Sequence, residues 1–422
     1  MNFLKFIFEH RGPANTVKRV FQIGSRFGIG PGKMGKRFDR FLDLLDEFDC
    51  SPTFPITALP MSRNPAFAHH ILERGAELAV HAYTHLDMTT LDYREQSKHM
   101  EMAVHLFRDL GVPFTGFRAP YLHWNEDTMR VVEDYKFRYS SNQAVLWGVL
   151  DTGALEPLQL QGLEKGIAFY NPIDTDENAV LPYFRRGFVE IPVSLPDDEV
   201  LLDRMYLRDR SMLTSVWNMV FERTYTRGEL FTVMLHPERI DFFREPLGTL
   251  LGSARARKPG VWIATLNDIA DWWTRKQRNN AVFIREGNSV RAEIEACRGA
   301  TVFLRQEGAE RRIEPGVLEL TTKTRPCVGV SPGSSREAMQ QLQDRGYIIE
   351  AGETAGDFAI HLGRLTESSY DATWRQLQRL ESFPGPLLRF ATWPHGNRSA
   401  LAVTGDIDAL TLWDFVQRMR GA

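Results

Sequence analysis

The chain has 422 residues, of which 43% are hydrophobic and 25% are charged, a balance typical of a globular protein with one large core and room for a smaller second unit. The formal net charge is −3, and because nucleic-acid binding depends on clustered Lys and Arg, we expect no nucleic-acid partner. The three cysteines, Cys50, Cys297 and Cys327, are far apart, which argues against both a cysteine metal cluster and a disulfide scaffold.

The N-terminal stretch contains a short apolar run that does not reach the length of a signal-peptide core. Glu9, His10 and Arg11 interrupt this run before such a core is complete. No segment approaches the roughly 20 consecutive apolar residues of a membrane span. We therefore expect a cytoplasmic protein without a membrane span. The sequence gives no indication of its oligomeric state.

From Phe38 onward, the hydrophobic pattern alternates between helix and strand. Apolar residues at helical spacing predict helices, and short apolar runs bounded by turn residues predict buried strands. A further helix is predicted around residues 17–27. The other predicted helices cover residues 37–48, 66–74, 93–110 and 125–135, and the predicted strands lie within residues 53–59, 76–85, 114–117, 187–195, 229–237 and 261–266. Such alternation indicates an α/β fold with parallel strands and outer helices, either an open sheet or a (β/α) barrel.

The pattern changes after Trp273. Residues 281–330 alternate between apolar and polar positions, which predicts several short strands and a small all-β module. A helix is predicted again at residues 334–346. We therefore divide the chain into an α/β domain at residues 1–277, an all-β module at 278–332, and a helical and loop-rich segment at 333–422 whose end returns to the first domain.

The first group of candidate site residues is His81 and His85, at the point where the apolar strand 77–80 runs into a loop. Sites in parallel α/β folds are built at the carboxyl ends of strands. Two imidazoles at this spacing can converge on one zinc ion, which commonly takes histidines and a carboxylate. Taken alone, the HxxxH spacing is more often explained by a core or capping histidine.

Two further predicted strands also end in polar residues. Arg118 and Tyr121 follow the strand at 114–117, and His236 follows the strand within 229–237. Arg118 is a fixed cation that can hold a carboxylate, and the Tyr121 N–H is a candidate oxyanion donor. His236 is a candidate general acid because the pKa of histidine lies near neutrality. Each of these residues would by itself be read as an ordinary loop or core residue.

Asp406 and Asp408 follow the last apolar strand of the chain. Of two such carboxylates, one can bind a metal while the other acts as a base, provided that their environments differ. Alternatively, Asp408 caps a helix beginning near Leu410. The combination of two histidines, two aspartates, an arginine and a further histidine, all at strand ends, favours a catalytic metal site.

Gly75-Ala-Glu77, the HxxxH motif, Arg118-Ala-Pro-Tyr121 and Leu235-His236-Pro237 together resemble the NodB-type polysaccharide deacetylases of carbohydrate esterase family 4. The resemblance covers roughly residues 38–273. It implies a deformed (β/α) barrel and a divalent metal, usually zinc. It also implies that His81 and His85 bind the metal, that Arg118 orients the base, that the Tyr121 N–H faces the oxyanion and that His236 is the acid.

The sequence departs from that family at the first strand, where an Asp-Asp motif is expected. The corresponding stretch near Glu9 and His10 has no Asp pair, whereas Asp406 and Asp408 fit an Asp-x-Asp form of the motif. We therefore predict that the C-terminal strand occupies the first-strand position, as in a circular permutation. Asp406 would then be the base and Asp408 the third metal ligand, with Glu9 and His10 as the alternative pair.

A second departure concerns the family's Asp-Trp motif, for which the sequence offers no clear counterpart. Asp197 and Asp198 are expected to be poor substitutes, so His236 is expected to lack its usual partner. Trp124 and Trp147 are candidates for an apolar wall beside a sugar ring, although such residues more often belong to the core.

We predict a metal-dependent hydrolase of carbohydrate metabolism that removes an acetyl or other acyl group from an amino sugar or glycan. Two alternatives remain. The chain could be a hydrolase of another non-peptide C–N amide bond, or a non-catalytic carbohydrate-binding or scaffold protein on the same fold. Bound zinc and its loss on Asp408→Ala would separate the enzyme from the binding protein.

Overall fold

The computed structural model describes residues 28–420. The helix predicted around residues 17–27, and Glu9 and His10, lie outside the described residues. No described helix combines the length and the apolar character needed to cross a bilayer. The α-helices are α1 (Gly32–Asp46), α2 (Ala58–Arg63), α3 (Pro65–Glu73), α4 (Tyr93–Asp109), α5 (Glu126–Asp134), α6 (Pro157–Tyr170), α7 (Arg210–Arg227), α8 (Ile240–Ala256), α9 (Leu266–Lys276), α10 (Arg336–Asp344), α11 (Tyr370–Ser382) and α12 (Leu412–Arg420).

The strands form one large sheet and several small ones. They are β1 (Thr53–Ile56), β2 (Glu77–Val80), β3 (Gly116–Phe117), β4 (Tyr139–Ser140), β5 (Ala144–Leu146), β6 (Ile173–Asp174), β7 (Tyr183–Arg185), β8 (Phe188–Glu190), β9 (Val193–Leu195), β10 (Leu230–Met234), β11 (Val261–Ile263), β12 (Asn280–Glu286), β13 (Ser289–Glu295), β14 (Val302–Gln306), β15 (Ala309–Ile313), β16 (Gly316–Leu320), β17 (Arg325–Val330), β18 (Ile349–Ala351), β19 (Phe358–His361), β20 (Leu387–Phe390) and β21 (Ser399–Thr404).

The main sheet has nine strands in the order β10-β21-β1-β2-β3-β4-β8-β7, with β11 also paired to β21. All pairings are parallel except that of β7 with β8. Strands β5 and β9 continue from β4 and β8 in a second parallel sheet with β6, and β9 contacts β10. The strands therefore curl from β10 round to β9, and the predicted deformed (β/α) barrel is confirmed.

Strand β21 is the C-terminal strand, and it lies between β10 and β1. Its residues pair with β10 along its length, and Thr404 pairs with Thr53 of β1. A further bridge joins Ile407 to Ile56 beyond the ends of the strands. The predicted return of the chain's tail to complete the barrel is thus confirmed.

Amphipathic helices cover the outside of the barrel, as the hydrophobic spacing predicts. Helix α1 buries Phe38, Phe41 and Leu45, and the Phe38 and Phe41 rings both pack edge-on against Phe54 of β1. At the amino-terminal ends of the strands, Glu77 accepts hydrogen bonds from the Tyr139 hydroxyl (2.6 Å) and the Thr53 hydroxyl (2.7 Å). This carboxylate therefore fastens three strands together, far from the strand ends where a site would be built.

The part of the chain between α9 and β21 forms three small sheets. These are antiparallel β12-β13-β16, antiparallel β15-β14-β20 and parallel β18-β17-β19. The strands expected within residues 281–330 are present, but β14 pairs with β20 and β17 pairs with β18 and β19. Because these partners lie beyond residue 332, the last segment contributes strands as well as the helix and loops expected there. The domain boundaries at 277 and 332 stay predictions.

Candidate metal centre

The two histidines of the HxxxH motif lie at the carboxyl end of β2. The His81 N–H donates to the Ile56 carbonyl oxygen (3.1 Å) and so continues the pairing of β1 with β2. Ala82 then takes a left-handed conformation, with φ of 61°, and the resulting turn brings the His85 ring centroid to within 5.0 Å of that of His81. Both imidazoles are buried.

Asp408 joins these two imidazoles from the C-terminal end of the chain. Its Oδ1 lies 3.1 Å from His85 Nε2 and 3.5 Å from His81 Nε2, and one ligand atom from each residue lies within 4.8 Å of the others. The helix that follows begins at Leu412, where Thr411 and Asp414 cap each other's backbone N–H groups. Asp408 therefore faces the histidines and does not cap that helix.

The orientation of His81 suits a metal ligand. Its Nδ1 lies 2.8 Å from the Arg118 carbonyl oxygen, a contact that holds the ring and leaves Nε2 for another partner, as is usual for metal-binding histidines. Nε2 is buried and has no hydrogen-bond partner among the described residues. A buried polar atom without a hydrogen bond is costly, and a cation held with His85 and Asp408 would satisfy it.

Asp406 lies beside this cluster and is held by Arg118. The fully buried Arg118 donates from Nη1 to Asp406 Oδ1 (2.7 Å) and to the Thr404 hydroxyl (2.9 Å). Its other nitrogens donate to the Ser141 carbonyl and hydroxyl oxygens (3.1 and 2.9 Å). The second carboxylate oxygen of Asp406 lies 4.0 Å from His81 Nε2. The two aspartates thus occupy different environments, one against imidazoles and one against a guanidinium.

Tyr121 lies next to His85, and its ring packs edge-on against that imidazole with centroids 4.4 Å apart. The residue has a φ of 62°. Such a backbone conformation is uncommon for residues other than glycine and is often found at functional sites. The loop leading to it is held by Asn142, whose side-chain oxygen accepts from the Ala119 N–H at 2.6 Å. No motif in the sequence indicated this role of Asn142.

The side-chain partner of His236 is Asp198, which was not expected from the sequence. The ring Nδ1 of His236 lies 2.9 Å from Asp198 Oδ1, and its backbone N–H donates to Asp198 Oδ2 (2.9 Å). Arg239 also donates to Asp198, at 2.8 Å. The expectation that Asp198 is a poor partner was therefore wrong. Asp198 follows closely after β9, and the strand-end rule that selected the other site residues would also have selected it.

The charge state of His236 depends on Asp198. Burial would lower the pKa of the His236 imidazole, but the adjacent Asp198 carboxylate more than offsets this effect and the pKa rises to about 10. The charge of Asp408 also raises the pKa of His236. His236 is thus held in the protonated form at neutral pH, as a proton donor requires.

Replacing Asp198 with Asn is expected to move the alkaline limb of the pH dependence of kcat to lower pH. Without the carboxylate, burial and Arg239 both favour neutral imidazole, so the acid form is lost at a lower pH than in the wild type. The check is the kcat–pH profile of the two proteins on one substrate from pH 5 to 10. Superimposable profiles would contradict the role of this pair.

The two tryptophans expected near a sugar have different surroundings. Trp147 is only 1% exposed and its indole N–H donates to the Ser194 hydroxyl (3.2 Å), so its expected place in a substrate wall was wrong. It belongs to the core, the commoner location for such residues. Trp124 is half-buried, and the Arg185 guanidinium lies 4.2 Å from the centre of its ring.

Together, the fold and the site define an α/β barrel protein with a candidate His-His-Asp metal centre at the carboxyl ends of its strands. The neighbouring aspartate–arginine and histidine–aspartate pairs lie at the same edge. The Leu235 N–H, which donates to the Thr404 carbonyl oxygen (2.9 Å), joins the ends of β10 and β21 that carry these pairs.

Comparison with known proteins shows similarity to one family over part of the chain. Residues 19–140 match the sequence profile of the family described as polysaccharide deacetylase. A peptidoglycan deacetylase-like protein of Gibberella zeae is 32% identical over 118 residues, which cover 27% of this chain and 34% of that protein. The match thus spans about a third of the relative's length. The resemblance to the NodB-type deacetylases is confirmed, and the Asp-bearing stretch after β21 lies outside the matched residues.

Two solved structures are also similar. One is a Mycobacterium smegmatis protein described as a polysaccharide deacetylase, with 19% identity, a TM-score of 0.44, and coverage of 59% of this chain and 81% of that one. The other is a protein of Pseudomonas aeruginosa PAO1 with the same description, with 18% identity, a TM-score of 0.46, and coverage of 63% of this chain and 78% of that one.

Proposed function

We propose that this protein is a metal-dependent hydrolase that removes an N-acetyl or other acyl group from an amino sugar or glycan. The observation that carries the proposal is the convergence of His81, His85 and Asp408, with Asp406 held by Arg118 beside them. The polysaccharide deacetylase profile supports the reaction class.

The donor set suits a divalent metal, zinc in the first place. Two imidazole nitrogens and one carboxylate leave a coordination position open for water, as in catalytic zinc sites. His81 Nε2, His85 Nε2 and a carboxylate oxygen of Asp408 would hold the ion. When bound, such an ion makes water a better nucleophile near neutral pH and polarises a carbonyl oxygen.

Asp406 is the residue we assign as general base. Arg118 and the Thr404 hydroxyl surround Oδ1, which leaves Oδ2 to face the histidines, 4.0 Å from His81 Nε2. The Arg118 guanidinium fixes the direction of this carboxylate. Asp406 can therefore take the proton of an attacking water at the edge of the metal cluster, while Arg118 acts as a positioning residue.

His236 is the residue we assign as general acid. The Asp198 carboxylate occupies the Nδ1 side of the ring, so Nε2 carries the proton that a leaving amine would accept. The backbone N–H of Tyr121 is assigned to the developing oxyanion, because the Tyr121 ring packs directly on the ligand His85. The base and the acid thus come from different strand ends, β21 and β10.

The substrate class that we propose is an amino sugar bearing an acyl group. The cytoplasmic location expected from the sequence would favour a biosynthetic intermediate over an assembled cell-wall polymer. The test is acetate release by zinc-loaded protein from an N-acetylated oligosaccharide, a nucleotide-linked N-acetyl sugar and simple linear and cyclic amides. We expect release from at least one sugar and its loss after chelation. Release from the simple amides alone would favour the other C–N hydrolase. No release by fully zinc-loaded protein would favour the binding protein.

A further inference from the structure

A cleft of about 700 Å³ lies where the barrel meets the small C-terminal sheets. Its walls come from the end of α7, the β14–β15 hairpin, α11 and the segment at residues 391–398 that leads into β21. Since β10 and β21 begin beside this cleft and end at the metal cluster, the two sites lie at opposite ends of the barrel. At about 3.3 Å per strand residue, they are roughly 20 Å apart.

The cleft is lined by arginine far more than by acid. Two of its lining residues, Glu310 and Glu381, are acidic. Six are arginines: Arg227, Arg305, Arg312, Arg345, Arg389 and Arg398. The chain as a whole has a net charge of −3, whereas the lining of the cleft is positive. The low-dielectric walls of a cleft concentrate the positive electrostatic field inside it.

Four of the six arginines form ion pairs with three carboxylates. Arg389 forms a two-pronged pair with Glu310 (2.8 and 2.6 Å), and Arg305 lies 3.5 Å from the same glutamate. Arg345 pairs with the buried Glu229 (3.1 Å). The fourth pair, between Arg227 and Asp176, measures 3.0 Å. The three carboxylates therefore compensate most of the charge of these four guanidiniums.

Arg312 and Arg398 differ from the other four. Within residues 28–420, neither is paired with a carboxylate. Arg312 donates to the His395 carbonyl oxygen (3.2 Å), and Arg398 donates to the carbonyl oxygens of Tyr225 (2.8 Å) and Thr226 (2.5 Å). A carbonyl oxygen fixes the direction of a guanidinium but does not neutralise it. Two positioned, uncompensated cations therefore face one cleft.

The backbone at Gly396 makes room for one of these cations. A Cβ atom at this position would come within 2.7 Å of Arg312 Nη2, and the residue has a φ of 72°, which disfavours any other side chain. Glycine therefore allows the guanidinium to lie against the 391–398 segment, which also carries Arg398. The Arg312 guanidinium thus lies against the stretch of chain that carries Arg398.

Aromatic side chains complete the cleft. Trp374 lines it and is stacked on Tyr370, with ring centroids 6.1 Å apart and planes at 15°. Phe303 lies under the Arg389 guanidinium, at 4.7 Å. A wall that combines guanidinium forks with flat apolar rings suits a ligand that carries phosphoryl groups next to an organic moiety.

We propose that this cleft binds a diphosphate-bearing small molecule, with Arg312 and Arg398 donating to its phosphoryl oxygens and Trp374 packing against its organic part. Two adjacent phosphoryl groups supply the multiple negative charge that two guanidiniums can neutralise together. The volume accommodates a ligand of nucleotide size. A nucleoside diphosphate and a prenyl diphosphate share this chemistry. The proposal is independent of the proposed hydrolase, because the cleft lies at the other end of the strands.

The test is equilibrium binding of inorganic pyrophosphate, uridine diphosphate and geranyl diphosphate to the zinc-loaded full chain by calorimetry. We expect saturable binding, with an organic diphosphate tighter than pyrophosphate. Arg312→Gln and Arg398→Gln should each weaken binding about tenfold, and the double variant more. Arg311→Gln is the matched control, because it removes an exposed arginine from the same strand outside the cleft and should leave binding within about twofold.

The tighter of the two organic probes would identify the ligand class. Absence of binding by every diphosphate would overturn the proposal. So would equal binding by the wild type and the double variant, since the phosphate would then be held elsewhere, for example at the metal centre. If the double variant unfolds, each single variant serves instead, because Arg312 and Arg398 are both exposed. Arg312→Lys keeps the charge but not the fork, and should bind better than Arg312→Gln.

Discussion

Replacing Asp406 with Asn is expected to lower kcat by about a thousandfold while the protein still binds zinc, because general-base catalysis contributes roughly 10²–10⁴-fold. The asparagine oxygen can still accept from Arg118, which donates to Asp406 Oδ1 at 2.7 Å in the wild type, so the geometry is preserved. The amide cannot take a proton from water. The measurement is kcat on whichever acetylated sugar the wild type turns over, together with zinc content.

Asp197→Asn provides a matched control for that substitution. Asp197 is a buried carboxylate beside Asp198, and burial together with the charge of Asp198 raises its pKa to about 7. Asparagine resembles the protonated form of this group, so kcat at pH 6 should change less than about threefold. A thousandfold loss in both variants would indicate general damage, and full activity of Asp406→Asn would remove Asp406 from the mechanism.

The barrel could be predicted because its physical causes are local. Helical spacing in residues 37–48 and short apolar runs such as 77–80 depend only on which face of an element is buried. The rule that parallel strands present their carboxyl ends together then places His81, Arg118, His236 and Asp406 at one edge, although they are far apart in sequence. That rule does not depend on the order of the strands in the sequence. It therefore applies to the C-terminal strand even though this strand occupies the first-strand position.

The pairing of strands that are distant in sequence could not be predicted for the later part of the chain. Alternation in residues 281–330 indicates strands, but it does not say which strand lies next to which. As a result, the pairing of β14 with β20 and of β17 with β18 and β19 was not foreseen. The cleft could not be predicted for the same reason, because Arg312 and Arg398 line one cleft only through the pairing of β14 with β20.

Two errors at the site have distinct physical origins. Trp147 was considered for a substrate wall, yet a large indole is buried wherever the core can accommodate it, and here Ser194 satisfies its N–H. Asp198 does not match an Asp-Trp pattern, and its pairing with His236 was therefore not predicted. His236 needs only a carboxylate at hydrogen-bond distance from Nδ1. Proton donation by His236 requires a carboxylate as its partner, but it does not require any particular residue next to that carboxylate in the sequence.

Replacing Asp408 with Ala is expected to weaken zinc binding by more than about a hundredfold, since even the loss of an outer-shell partner costs 10–100-fold. The carboxylate oxygen 3.1 Å from His85 Nε2 and 3.5 Å from His81 Nε2 is the third donor of the cluster. Without it, two imidazoles remain, too few for a catalytic zinc site. The measurement is zinc stoichiometry after dialysis, with affinity from competition against a chelator.

Asp87→Ala is the control for this loss, because Asp87 lies two residues after His85 but binds His123 (2.7 Å) and is not a member of the cluster. It should retain a full equivalent of zinc, as should Asp406→Asn. Retention of zinc by Asp408→Ala would mean that another group completes the site. Glu9→Ala and His10→Ala would then be the variants that lose the metal, and the assignment of the third ligand to the C-terminal segment would be wrong.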